Sequence, residues 1–154
     1  MGESMRVFVL EDDAQRIALF WRAAIGHDMT LAKDVDEACK KFDPPYDLIC
    51  LDHDLGGEVY VSSEQRNTGA GFCRWLAERG IAPCGRVVIH SYNADGARAM
   101  GAIMRDAGWL TIWVPFGPTV LGLFGQSNGE ARSADAVDPH AASTGKPSTR
   151  VEGL

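Results

Sequence analysis

No Cys-x-x-Cys pair occurs in this sequence; Cys39, Cys50, Cys73 and Cys84 stand apart. A zinc ribbon or a dithiol redox motif is therefore unsupported. No apolar run approaches the roughly 20 residues that a membrane-spanning helix requires. No signal-peptide layout opens the chain, because Glu3, Arg6, Glu11, Asp12 and Asp13 interrupt its apolar residues. Cationic residues are outnumbered, 15 Lys and Arg against 21 Asp and Glu, giving a formal charge of -6. That balance argues against a large non-specific nucleic-acid surface and leaves room for a small basic pocket. No internal repeat is visible. The expectation is a protein of the reducing cytoplasm whose cysteines serve as small core residues.

What is present fits one domain with a tail. The chain has 154 residues and 45% hydrophobic content, enough to bury a core. Residues 6–10 read as a first strand. Asp13 can cap a helix whose apolar side is Ala14, Ile17, Ala18, Trp21 and Ala24 or Ile25, with Gly26 as its stop. Residues 29–32 form a weaker strand. Asp34-Val35-Asp36-Glu37 resembles a capping box that opens a short helix. After Pro44-Pro45, the apolar run 48–51 reads as a strand covered on both faces. Residues 56–67 are polar and contain glycine, a loop long enough to suggest function.

Asn67 or Thr68 caps the next helix, with Phe72, Trp75, Leu76 and Ile81 on its apolar side. Residues 86–91 are a further buried strand. Asn93 caps a helix through Ala107 that carries Ala97, Met100, Ile103 and Met104. Residues 109–114 are the last strand. The four tryptophans, Trp21, Trp75, Trp109 and Trp113, read as packing residues. The domain is expected to span 1–117. Residues 118–154 are expected to be a disordered tail, since beyond Gln126 the composition is Ala, Ser, Gly, Pro and scattered charge. The apolar patch Val120-Leu121-Leu123-Phe124 suits a short helix or a docking segment.

Strands alternating with helices imply a parallel sheet with right-handed crossovers. The expected class is α/β: three layers around a five-stranded parallel sheet, flavodoxin-like, with a fifth helix missing or degenerate. Ligands of such sheets sit beyond the carboxyl ends of the strands. Three of those ends are polar: Glu11-Asp12-Asp13, Asp52-His53-Asp54 and His90-Ser91. Carboxylates gathered there repel one another unless a cation or partner offsets them. Oxygen ligands from Asp12 and Asp52 suit Mg2+ or Mn2+. Imidazole from His53 or His90 widens the choice toward manganese, iron or zinc. Ser91 could hydrogen-bond a phosphoryl oxygen, and Arg16, one turn into the first helix, could reach a phosphate or lie on the surface. Simpler roles compete: Asp13, Asp34 and Asn93 are helix caps first. Strand alternation also sends Asp52 and His53 to opposite faces, and likewise His90 and Ser91.

These residues resemble a response-regulator receiver domain over roughly residues 5–116. Val7 to Asp13 is similar to the receiver's first strand and acidic pair, mapping it to Glu11 and Asp12. Tyr46 to Asp52 is similar to the strand that presents the phosphoacceptor, mapping it to Asp52, and Ser91 matches the switch hydroxyl. Val114 stands where receivers carry a phosphoryl-contacting lysine, which argues against ordinary phosphotransfer. The segments Leu51-Asp52-His53-Asp54-Leu55-Gly56, Asn67-Thr68-Gly69 and Ile89-His90-Ser91-Tyr92-Asn93 resemble a narrower group, the cyclic-phosphate-processing receiver-like family.

That resemblance implies metal-dependent hydrolysis of a cyclic phosphate on a nucleotide or RNA end. Asp12, Asp52, Asp54 and Glu11 would hold Mg2+ or Mn2+. His90 would be the general acid/base, with His53 and Asp54 as further catalytic candidates. Ser91, Asn93 and Arg16 would hold phosphate. Two alternatives stand beside it. One is a receiver phosphorylated on Asp52, or decayed into a partner-binding signalling module. The other is a non-catalytic cyclic-nucleotide binder.

Overall fold

Strands and helices alternate through residues 2–126, the part of the chain that the computed structural model describes. The order is β1 (Arg6–Leu10), α1 (Ala14–Ala23), β2 (Asp28–Ala32), α2 (Val35–Lys41), β3 (Leu48–Leu51), α3 (Gly69–Glu78), β4 (Arg86–Ile89), α4 (Ala94–Asp106), β5 (Thr111–Trp113) and α5 (Pro118–Gly122). A 3-10 turn, Leu123–Gly125, follows α5. The five strands form one sheet in the order β2-β1-β3-β4-β5, and every neighbouring pair is parallel. This is the expected three-layer α/β fold. Its fifth helix is present and only five residues long.

The pleat divides the core. Phe8, Leu10, Ile49, Leu51, Val87 and Ile89 face one way and pack with residues of α2, α3 and α4. Val7, Val9, Leu48, Cys50 and Val88 face the other way, toward Phe20 of α1, Val120 of α5 and Phe124. A strand's period of two makes this split unavoidable once both faces are covered. Burial pushes the Cys50 and Cys73 thiols up to about 12, so both are packing groups. Helix starts are fixed by side chains that accept the N3 amide: Asp13 from Arg16, Asp34 from Glu37, Thr68 from Gly71 and Asn93 from Gly96.

Two sequence expectations need correction. The buried side of α1 is centred on Phe20, with Ala24 beyond the helix end, whereas Trp21 and Ile25 are exposed. Both phases satisfy helical spacing. The choice is made by Phe116 and Phe124, whose rings lie 5.5 and 6.0 Å from that of Phe20. Phe20→Ala is therefore expected to cost about 3–5 kcal/mol in urea unfolding, and Trp21→Ala about 0.5 or less. Equal costs would reverse the assignment.

The second correction concerns the boundary at residue 117. Packing continues past it, because Pro118 starts α5 at a position where its missing N–H costs nothing, and Val120 and Phe124 then enter the core. The rest of the expected tail, 127–154, lies outside the described residues.

Candidate functional site

Register builds the site. Leu10 pairs with Leu51, and Leu51 with Ile89. One residue further along each strand stand Glu11, Asp52 and His90. They share the pleat parity of Val9, Cys50 and Val88, so all three point to the α1 side of the sheet. The ladder continues to this level, with Asp52 N donating to Leu10 O at 3.0 Å and His90 N to Leu51 O at 2.9 Å. The three side chains are buried, and one donor atom from each lies within 4.8 Å of the others.

Each carboxylate is partly used. Glu11 Oε1 accepts the amides of Asp12 and Asp13, and Glu11 Oε2 lies 3.0 Å from His90 Nε2. Asp52 Oδ1 accepts from His53 N at 2.8 Å. The cation facing both is Arg16, whose Nη1 lies 3.6 Å from Glu11 Oε2 and 3.7 Å from Asp52 Oδ2. Its guanidinium also lies over the rings of Tyr92 and Phe116. Desolvation pushes the Asp52 carboxyl up to about 6; His90 opposes the rise, Glu11 adds to it, and the His53 amide and Arg16 oppose it. Arg16 thus compensates Asp52 only in part. Val114, at the place of the receiver lysine, is an apolar residue packed against the core.

An open cavity of about 390 Å3 lies over this row. Six acidic residues, Glu11, Asp12, Asp13, Asp52, Asp54 and Glu58, border it with one basic residue, Arg16. Ala14, Ser91, Tyr92, Asn93 and the loop residues Gly57, Val59 and Tyr60 complete its walls. Asp12 Oδ2 accepts from Gly57 N at 2.7 Å, which ties this loop to the end of β1.

The opposite pleat parity sends His53 to the α4 side. Its ring is fully buried, with Nδ1 2.8 Å from Asp54 Oδ1. Asp54 Oδ1 also accepts from Asn93 Nδ2 and Val61 N, and its Oδ2 accepts from Tyr60 N. Burial alone would raise the Asp54 pKa, but these bonds outweigh it and hold the carboxyl below the usual range. Asn93 Nδ2 reaches Val61 O as well, while its Oδ1 caps α4. His53, Asp54 and Asn93 therefore form a clamp on the loop. Gly96 is required beneath it, since a Cβ there would lie 2.4 Å from the His53 ring.

The structure thus sorts the sequence candidates. Glu11, Asp12, Asp52, Arg16 and Ser91 share one cavity wall system. Asp54 and Asn93 border the cavity, yet their polar atoms are committed to the clamp. His53 and His90 are fully buried and do not border the cavity; His53 faces the clamp, whereas His90 keeps one ring nitrogen within 4.8 Å of the Glu11 and Asp52 carboxylates beneath it. Sequence reasoning missed Val59 and Tyr60 as walls; their place in an overlong loop after a strand end was the available signal.

Residues 5–106 match the family model described as a cyclic-phosphate processing receiver domain. No curated protein matches the chain. Among solved structures, NtrX from Brucella abortus is 21% identical with a TM-score of 0.54, covering 86% of this chain and 29% of its own. This chain therefore spans less than a third of that protein. A CheY-like receiver domain protein from Methanospirillum hungatei is 14% identical with a TM-score of 0.52, covering 77% and 87% of the two chains. The HemR receiver domain from Leptospira biflexa is 18% identical with a TM-score of 0.53, covering 88% and 98%. At these identities the likeness is one of fold.

Proposed function

The chain belongs to the cyclic-phosphate processing receiver family, and from that premise we propose that its cavity binds and hydrolyses a cyclic phosphate with a divalent cation. The observation that carries the reading is the charge imbalance around the buried row. A phosphodiester entering a site of six acidic residues and one arginine is repelled unless a cation intervenes. The donor set suits such an ion: Glu11, Asp52 and His90 each offer a buried ligand atom within 4.8 Å of the others, and Asp12 borders the same cavity. Oxygen donors favour Mg2+ or Mn2+. The bound ion supplies charge neutralisation and Lewis acidity.

The chain's own groups divide the remaining work. Arg16 offers a guanidinium to phosphate oxygens. Ser91 Oγ accepts from Asn93 N, which leaves its hydroxyl hydrogen to donate to a phosphoryl oxygen. His90 acts through Glu11, fixing the carboxylate by its 3.0 Å contact. The His53–Asp54–Asn93 clamp holds the loop wall. Hydrolysis adds one water, breaks one P–O bond of the ring and leaves a phosphomonoester. Four free cysteines accord with work in the reducing cytoplasm. Nucleoside 2′,3′- and 3′,5′-cyclic phosphates and cyclic RNA ends, assayed with Mg2+ or Mn2+, are expected to give monoester that chelator suppresses. No turnover of any of them by folded protein would sink hydrolysis.

A second reading is favoured by the position of Asp52, whose carboxylate faces the cavity at the end of β3 with Ser91 on the next strand end. It is that of a receiver phosphorylated on Asp52 and read by a protein partner. A phosphoryl adduct in intact-mass spectra after incubation with a small phosphodonor, absent in Asp52→Asn, would favour signalling. Binding of a cyclic nucleotide without product would instead support a non-catalytic binder.

A further inference from the structure

The cavity wall carries a second kind of surface. Val59, Tyr60 and Tyr92 border it and remain 77%, 78% and 57% exposed. Isolated exposed apolar residues need no explanation; three around one cavity do. Tyr60 is also held where its backbone resists. Its φ is +54°, and among the described residues it is the only non-glycine with positive φ. An aromatic residue adopts that region at a cost. The conformation is imposed from both sides: Asp54 accepts the amides of Tyr60 and Val61, Asn93 reaches Val61 O, and the Val61 side chain is buried. The clamp thus fixes the loop while leaving the Tyr60 ring in solvent at the cavity.

Tyr92 is fixed differently. Its hydroxyl donates to Phe116 O, and the Arg16 guanidinium lies 5.2 Å from its ring centre. The group that meets phosphate and an aromatic ring are therefore in contact. A ligand matching this cavity carries an anion and a flat, apolar ring system.

We infer that the cavity selects a nucleotide over a base-less phosphate ester, with the nucleobase stacked on Tyr60 and Tyr92 at its border. The inference rests on the cyclic-phosphate reading and names its substrate class. Tyr60 supplies a π face, which accepts any base, so the selection is for the presence of a base more than for its identity. Sugar or polyol cyclic phosphates would leave both rings uncovered.

The test compares adenosine 2′,3′-cyclic phosphate with glycerol 1,2-cyclic phosphate, titrated by calorimetry into the full chain with Ca2+, an oxygen-ligated cation of weaker Lewis acidity that lets binding be read without turnover. The adenosine ester is expected to bind about tenfold tighter, the scale of one base–aromatic stack. Tyr60→Ala is expected to remove most of that ratio, and Tyr60→Phe to keep it. Equal affinity of the two esters for the wild type overturns base selection and leaves the cyclic-phosphate reading standing. A ratio unchanged in Tyr60→Ala overturns the role of Tyr60. Binding of neither ester by folded protein overturns both readings.

Discussion

Replacing Asp52 with Asn is expected to stabilise the metal-free protein at pH 7 while abolishing the proposed hydrolysis. The folded-state pKa of Asp52 is about 6 against an ordinary 3.8. Between these values the folded state binds more protons than the unfolded chain, so its stability falls as pH rises through that window. Above about pH 6 the whole penalty is present, up to about 3 kcal/mol for a shift of this size. Asn removes the charge but keeps an oxygen for the His53 amide, the bond that holds Asp52 Oδ1. The measurement is urea unfolding in chelator at pH 4 and pH 7. The gain of the variant over wild type is expected at pH 7 and largely lost at pH 4. A variant less stable than wild type at both would refute the under-compensated charge. On the proposed metal-dependent reading, added Mn2+ should stabilise the wild type far more than the variant, because the carboxylate that repels its neighbours without an ion would be one of the groups that hold it.

Gly69→Ala is expected to destabilise the fold by about 3 kcal/mol and to weaken ligand binding with it. A Cβ at Gly69 would lie 2.1 Å from Asp52 O and 2.6 Å from Met100 Cε. The methionine tip can move; the backbone oxygen of Asp52 cannot move without shifting the end of β3. The same close approach lets Gly69 N donate to His53 O at 2.9 Å, docking α3 onto the site. Adding Met100→Ala should therefore restore only a minor part of the loss. Full restoration, or a cost for Gly69→Ala below about 0.5 kcal/mol, would show that the backbone contact is not limiting. This is the physical content of the glycine in Asn67-Thr68-Gly69, which the sequence presented only as part of a family motif.

Much of the fold was legible because its signals are local. The run Leu48-Ile49-Cys50-Leu51 is too short for a helix and too apolar for an edge, and it is a central strand. Asp13, Asp34 and Asn93 announced helix starts, and each caps one. The α1 face was misphased because Trp21 and Phe20 satisfy the same spacing and only distant rings distinguish them. The short α5 was left open because five residues carry too little periodicity.

The site divides in the same way. Alternation along a single strand is enough to separate Asp52 from His53, and His90 from Ser91. By itself the sequence determined that acidic and imidazole groups end three strands, and which neighbours must part. Only the tertiary structure decided that Glu11, Asp52 and His90 form one row, that His90 Nε2 meets Glu11 Oε2, and that Asp54 serves a clamp. The reason is that register between strands is set by hydrogen bonds and packing among residues about 40 positions apart, as in the pairing of Leu10 with Leu51 and Leu51 with Ile89. A contact between side chains of two strands is likewise a property of the assembled sheet, which no single strand's sequence contains.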